Sequence, residues 1–252
     1  MKMHILEAGT VRLRKSIFVP AEKSETIDVP VSCVLVRHER GNVLFDTGCH
    51  PSVSEDPEGR WGGLAKMMKP LMPPGVNVLS SLKAVGIEPT DIDIVVCSHL
   101  HPDHCGCNQF FRNAQFFVHT RELQAAKADK AVSAGYLAQD WDHGLPTSEL
   151  DGEHDLFGDG RAVIVPLPGH TPGTMGLRVE LEKTGSFLLA SDSVSLLENL
   201  EQNAVPKNTW NADLYLKSFS EIRSMQAQGT TIVCGHDPTQ WSNMRKGNSA
   251  YD

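Results

Sequence analysis

Apolar and polar positions along this chain alternate in short runs rather than in long helical stripes. Val31–Val36 and Asn42–Phe45 each read as a strand. The polar His38-Glu-Arg-Gly41 between them, ending in glycine, reads as a hairpin loop, and Asp46-Thr47-Gly48 ends the second strand. Within Val76–Val85, apolar residues recur at Val78, Leu79, Leu82 and Val85, spacing that predicts a short amphipathic helix closed by Gly86. Ile92–Cys97 is a buried-type strand that runs straight into Ser98-His99-Leu100-His101. Further strands are predicted over Gln115–His119, Arg161–Pro166, Gly176–Glu182, Phe187–Ala190 and Thr231–Cys234, with helices over Arg121–Lys130 and Ala212–Gln228. Strands outnumber helices, yet helices fall between some of them, so mixed α/β layering with helices on the sheet faces is the expected solution.

The segment Trp61–Gly75 departs from this rhythm, carrying Trp61, Leu64, Met67, Met68, Leu71 and Met72 before Pro73-Pro74-Gly75. Its methionines form an adaptable apolar surface. It is expected to be a mobile flap over a binding site, with Trp61, Met67 and Met68 touching substrate, or a subunit contact. A helix packed on the core is the alternative.

Composition changes this picture little. An apolar content of 40% with 21% charged residues is that of a globular protein, and 252 residues are expected to make a single domain, 1–252. The longest apolar runs, such as Ile94–Cys97 and Phe187–Ala190, are far too short to span a bilayer. Glu7 interrupts the N-terminus before any long apolar stretch, which argues against a signal peptide and for a cytoplasmic protein. A net charge of −8 without any run of basic residues disfavours nucleic-acid and anionic-membrane partners. The six cysteines are expected to be free thiols, and Cys105-x-Cys107 lacks the second pair of a thiolate metal site.

The informative segment is Ser98-His99-Leu100-His101-Pro102-Asp103-His104-Cys105-Gly106. Three imidazoles and a carboxylate cluster at the end of an apolar strand, where ligands gather in open α/β sheets. Such density is costly to bury without a metal, and neutral imidazole with carboxylate suits zinc and its divalent neighbours. His99 and His101, two apart in extended backbone, point the same way and can share one ion. Pro102 turns the chain before Asp103 and His104, which can serve a second. Downstream, His170 in Pro168-Gly-His-Thr-Pro-Gly173, Asp192 in Ser191-Asp-Ser193 and His236 in Gly235-His-Asp237 each follow a predicted strand. Individually these are weak signals; four strand ends bearing ligand-type residues are not.

His99-x-His101-x-Asp103-His104 with His170, Asp192 and His236 resembles the metallo-β-lactamase superfamily. Val31–Val36, Leu44-Phe-Asp-Thr-Gly48, Pro168–Gly173 and Gly235–Asp237 look like its N-acyl-homoserine lactonase branch. The resemblance spans residues 1 to 240. It implies a four-layer αββα sandwich with two divalent ions, zinc first and iron, manganese or cobalt as alternatives. His99, His101 and His170 would hold one ion, and Asp103, His104 and His236 the other. Asp192 would bridge the two and hold the shared water. Asp46 resembles the superfamily's buried aspartate that orients a metal-binding loop. His101 stands where flavin-linked di-iron members carry Glu, which disfavours oxygen or NO reduction.

The chemistry implied is hydrolysis. Water shared by two cations becomes hydroxide near neutral pH, one cation polarises the carbonyl, and Asp103 accepts and delivers the proton. The reading is a hydrolase of a small lactone or cyclic ester, acting as a monomer or homodimer. Other esters, amides or thioesters of the glyoxalase II type are the alternative, and nuclease, antibiotic-hydrolysing or non-enzymatic metal-binding roles are less favoured. Two positions depart from the lactonase pattern. Pro102 replaces a frequent Phe, and Ser195 replaces the Tyr that usually contacts the substrate carbonyl. Ser195 is expected to face the substrate and, being smaller, to open room beside the bridging carboxylate.

Overall fold

In the computed structural model, which describes residues 1–252, the chain opens on two long antiparallel strands, β1 (Lys2–Arg14) and β2 (Thr26–His38). Period-two alternation puts Met3 and Ile5 of β1 on one face and Leu6 and Ala8 on the other. A bulge between Glu7 and Gly9 shifts the parity, so Val11 continues the second face. β3 (Gly41–Phe45) follows through the expected hairpin, His38 pairing with Gly41.

Around this ribbon, β4 (Lys69–Pro70), β5 (Ile94–Val96), β6 (Gln115–His119) and β7 (Thr147–Leu150) complete a seven-stranded sheet of order β4-β1-β2-β3-β5-β6-β7. β3, β5, β6 and β7 run parallel. The second sheet has the order β12-β11-β10-β9-β8, from β8 (His154–Asp155), β9 (Ala162–Pro166), β10 (Met175–Leu181), β11 (Gly185–Ser191) and β12 (Thr231–Cys234). β9 and β11 both run antiparallel to β10, and β12 is parallel to β11. The carboxyl ends of β9, β11 and β12 therefore lie at one end of the sheet.

Helices are short: α1 (Pro57–Trp61), α2 (Val78–Ala84), α3 (Pro102–Cys105), α4 (Thr120–Ala126), α5 (Ala138–Trp141), α6 (Leu197–Gln202), α7 (Ala212–Ala227) and α8 (Pro238–Asn243). Three apolar clusters define the layers. Val78 and Leu82 of α2 pack on Leu35, Leu44 and Val95 of the first sheet. Val34, Phe45 and Val96 meet Ile164, Leu177 and Leu189 between the sheets. Tyr215, Phe219 and Ile222 of α7 cover Val165, Leu188 and Ile232 on the far side. This is the four-layer arrangement the sequence resemblance implied. No helix is long and apolar enough to cross a membrane.

The six cysteines are free and buried, and burial pushes their thiols well above the usual range. Neutral thiols of this kind are core residues.

The segment Trp61–Gly75 is anchored at a few points and otherwise exposed or half-buried. Trp61, Met68 and Met72 are buried in the cluster on the helical face of the first sheet, and β4 pairs with β1 through Val11–Pro70 and Arg12–Lys69. Arg60, just before the segment, binds the buried Asp140 of α5 through its guanidinium, and Gln139 binds the Arg60 carbonyl. Trp61, Met68 and Met72 thus tie the stretch to the core, but it is a 3-10 turn and a two-residue strand rather than the helix of the alternative reading, and Met67 stays exposed.

Candidate metal centre

All seven sequence-predicted ligands come together beyond the carboxyl ends of four strands. β5 ends at Val96, and Cys97 and Ser98 carry the chain on to His99 and His101; Pro102 then starts α3, whose single turn swings Asp103 and His104 inward. The loop after β9 carries His170, the turn after β11 carries Asp192, and the loop after β12 carries His236. Ligand atoms fall into three overlapping sets within 4.8 Å of one another: His99–His101–His170, His99–His104–Asp192 and Asp103–His104–His236.

Hydrogen bonds fix which ring nitrogen is free in four of the five imidazoles. Nδ1 of His104 donates to Asp46 Oδ2 at 2.9 Å, and Nδ1 of His236 donates to the Pro30 carbonyl at 2.9 Å. His101 donates from the opposite nitrogen, Nε2, to the Ala134 carbonyl at 3.0 Å. The Ser98 hydroxyl donates to Asp46 Oδ2 at 2.8 Å and receives the Ser191 hydroxyl at 2.8 Å. With its hydrogen committed, it can only accept from His99 Nδ1, 3.0 Å away. The lone pairs left over are Nε2 of His99, His104 and His236 and Nδ1 of His101.

These lone pairs converge on carboxylates. Asp192 Oδ1 lies 3.0 Å from His236 Nε2 and 3.5 Å from His104 Nε2, while Oδ2 lies 3.3 Å from His170 Nε2. Asp103 Oδ2 is 3.6 Å from Nε2 of both His104 and His236. Asp192 thus stands between the two groups. The close approach requires Gly235, because a Cβ there would sit 2.7 Å from Asp192 Oδ1.

Two residues preceding or starting these loops take left-handed backbone without being glycine: Asp46 at φ 60° and Ser191 at φ 47°. Such conformations are held against a local energetic cost and concentrate at functional sites. Asp46 Oδ1 also accepts the Ser98 amide at 2.7 Å, so one carboxylate orders both the strand exit and His104.

Electrostatics divide the imidazoles. Burial lowers His99 well below its ordinary value and His170 to about 3, and the neighbouring imidazoles add to this. Burial would lower His104 too, but the carboxylates of Asp103, Asp192 and Asp46 outweigh it and raise the ring to about 10. His236 is raised by Asp192 and Asp103 against its own burial. Burial likewise opposes ionisation of Asp192, yet the surrounding imidazoles hold its carboxyl well below the usual range.

The residues fit two divalent cations. Nε2 of His99, Nε2 of His104 and Oδ1 of Asp192 are buried without a hydrogen-bond partner. His101 Nδ1 and His170 Nε2 face each other at 3.1 Å. Buried polar atoms without partners are costly, and a cation between converging lone pairs removes that cost.

The tentative substrate contacts fare differently. Ser195 is fully buried, and its carbonyl accepts the His236 amide at 2.9 Å. The Tyr215 phenol lies beside it and donates to the Asp192 carbonyl at 3.0 Å. Trp61 and Met68 are core, and only Met67 is exposed, at 65%. Sequence reading missed Trp210, 54% exposed, whose amide is tied to the His170 carbonyl at 2.9 Å. It also missed the fully buried Glu122 of α4. A lone tryptophan in a polar stretch and a glutamate on a predicted helix carry no signal of this placement.

Comparison with known proteins agrees with the geometry. Residues 26–236 match the family described as the metallo-beta-lactamase superfamily. The N-acyl homoserine lactonase AttM of Azorhizobium caulinodans is 31% identical, covering 100% of this chain and 99% of that protein. An N-acyl homoserine lactonase of a Bacillus species is 32% identical over 95% of this chain and 94% of its own length. A solved N-acyl homoserine lactone hydrolase, with the product N-hexanoyl-L-homoserine bound at its catalytic metal center, superimposes with a TM-score of 0.90 at 27% identity, covering 99% of this chain and 98% of that one.

Proposed function

The chain belongs to the metallo-β-lactamase superfamily, in the branch of the N-acyl homoserine lactonases, and on that premise we propose that it hydrolyses a small lactone at the His/Asp centre. The observation that carries the reading is the convergence of seven ligand-type side chains, with Nε2 of His99 and His104 and Oδ1 of Asp192 buried without a partner. His99, His101 and His170 would hold one divalent ion, Asp103, His104 and His236 the second, with Asp192 between them. Zinc is the first choice for this nitrogen-and-oxygen donor set. When bound, the ions supply an activated water and a Lewis acid for the carbonyl.

The protein's own residues do the rest. Asp192, held ionised by its imidazole neighbours, fixes the spacing of the two groups. Asp103 presents Oδ2 to His104 and His236, which leaves Oδ1 to take a proton from the attacking water. A C–OH bond forms at the acyl carbon, the ring C–O bond breaks, and the proton passes from Asp103 to the departing alkoxide, giving a hydroxy acid. The Asp46–Ser98 network keeps His99 and His104 in the tautomers this requires.

Ser195 lies fully buried with the Tyr215 phenol beside it, and no substrate contact is assigned to its hydroxyl. Bound cations would then supply the carbonyl polarisation, which favours lactones with a good leaving oxygen over unactivated ones. The test is a panel of acyl-homoserine lactones, aromatic lactones, aryl esters and thioesters, scored by appearance of the free acid. Ring opening of at least one lactone class with the highest kcat/KM supports the proposal. Turnover confined to thioesters, or absent throughout, overturns it.

A further inference from the structure

Glu122 is fully buried, and no cation lies within ion-pair distance of it. Its helix α4 stands on the outer face of the first sheet, where a glutamate normally points to water. Instead Oε1 accepts the Leu100 amide at 3.0 Å, and Oε2 accepts the Thr171 hydroxyl at 2.6 Å and the Gly173 amide at 3.1 Å. Leu100 sits between His99 and His101; Thr171 follows His170. One carboxylate therefore spans the two loops that carry the histidine triad. The Gly173 contact exists only because that residue has no side chain: a Cβ there would lie 2.5 Å from the Glu122 amide nitrogen.

The same stretch of chain braces the triad again. Ala134 accepts from His101 Nε2 at 3.0 Å, and the Tyr136 ring lies 5.2 Å from the His101 ring with its phenol beside Glu122 and Thr171. Burial pushes the Glu122 carboxyl up, and the three donors hold it back. A carboxylate buried without a cation is an expensive way to join two loops unless their spacing matters. The other metal group has its own carboxylate organiser in Asp46, bonded to Ser98 and His104.

We propose that Glu122 is a positioning residue that presets the distance between the His99/His101 loop and the His170 loop, and so serves the histidine-triad metal in particular. This inference rests on the two-metal reading above. Its test begins from the metal-loaded enzyme and two variants. Glu122→Gln keeps the shape but replaces one accepting oxygen with a donor. Thr171→Val removes a single hydroxyl and keeps the fold if the first variant misfolds.

Chelator competition resolves the two metals as two steps, and the step abolished by His101→Ala marks the triad. The expected result is a triad affinity weakened about 10- to 100-fold in Glu122→Gln, and less in Thr171→Val, with the other step unchanged. The melting temperature of the metal-free protein separates a positioning role from a merely structural one. Both steps unchanged, or both weakened together in proportion to a lower metal-free melting temperature, overturns the inference. Wild-type protein that binds no metal overturns the two-metal reading itself.

Discussion

Without metal, the carboxylates of Asp103, Asp192 and Asp46 raise His104 to about 10, so a proton occupies its Nε2, the position a cation would take, and His236 is shifted in the same direction. His99 and His170 are shifted down and are already neutral. A cation entering the Asp103–His104–His236 group must displace protons, so its affinity rises with pH; a cation entering the triad displaces none from these rings. Calorimetric titration in buffers of different ionisation enthalpy is predicted to show proton release of about one or more at one binding step and little at the other. Equal release at both contradicts this account. Ser195→Ala is predicted to leave the melting temperature unchanged or raised and kcat/KM unaltered, since the Ser195 hydroxyl is buried without a partner. A large loss of turnover would return Ser195 to the substrate. At this scale the ligands were legible because metal chemistry concentrates rare residue types at strand ends. Glu122 was not, because an isolated glutamate on a helix looks like surface charge until its partners are known.

Among the elements, central strands and α7 were legible because each buries a face whose period shows in the apolar pattern. Thr231–Cys234 matches β12 residue for residue, whereas the predicted helix Arg121–Lys130 stops early, at Ala126. Strand β1 escaped because its bulge at Glu7–Gly9 breaks the alternation midway. The sequence left the role of the Trp61 segment open because methionine suits a flexible surface and an irregular core equally. Its anchor, Arg60–Asp140, yields a test. Burial, opposed by Arg60, raises the Asp140 carboxyl to about 6. The folded state then binds more protons than the unfolded one between pH about 4 and about 6, so this group's contribution to stability falls as pH rises through that window. Denaturant melts should show a decline on the order of 2 kcal/mol across it that is missing in Asp140→Asn. Arg60→Ala, which strands a buried carboxylate, is predicted to cost about 3–5 kcal/mol at pH 7. Parallel pH profiles for wild type and Asp140→Asn, or a cost near zero for Arg60→Ala, would show that this pair does not anchor the segment.

For the whole molecule, the centre joins the two sheets: His99, His101, Asp103 and His104 come from the first, and His170, Asp192 and His236 from the second. Ligands drawn from both halves make metal binding a contribution to folding, worth about 4 kcal/mol when free metal exceeds its dissociation constant a thousandfold. Chelation is accordingly predicted to lower the melting temperature by on the order of 10 °C, reversibly on adding metal back. An unchanged melting temperature would mean that the sheets are preset without the ions. The central claim, that lactone opening happens at this two-metal centre, is tested most directly by titrating metal into the metal-free protein and following ring opening of a lactone substrate as a function of bound equivalents. The account predicts negligible turnover at zero and a rise to a plateau at about two equivalents per chain; full turnover in the metal-free protein would contradict it.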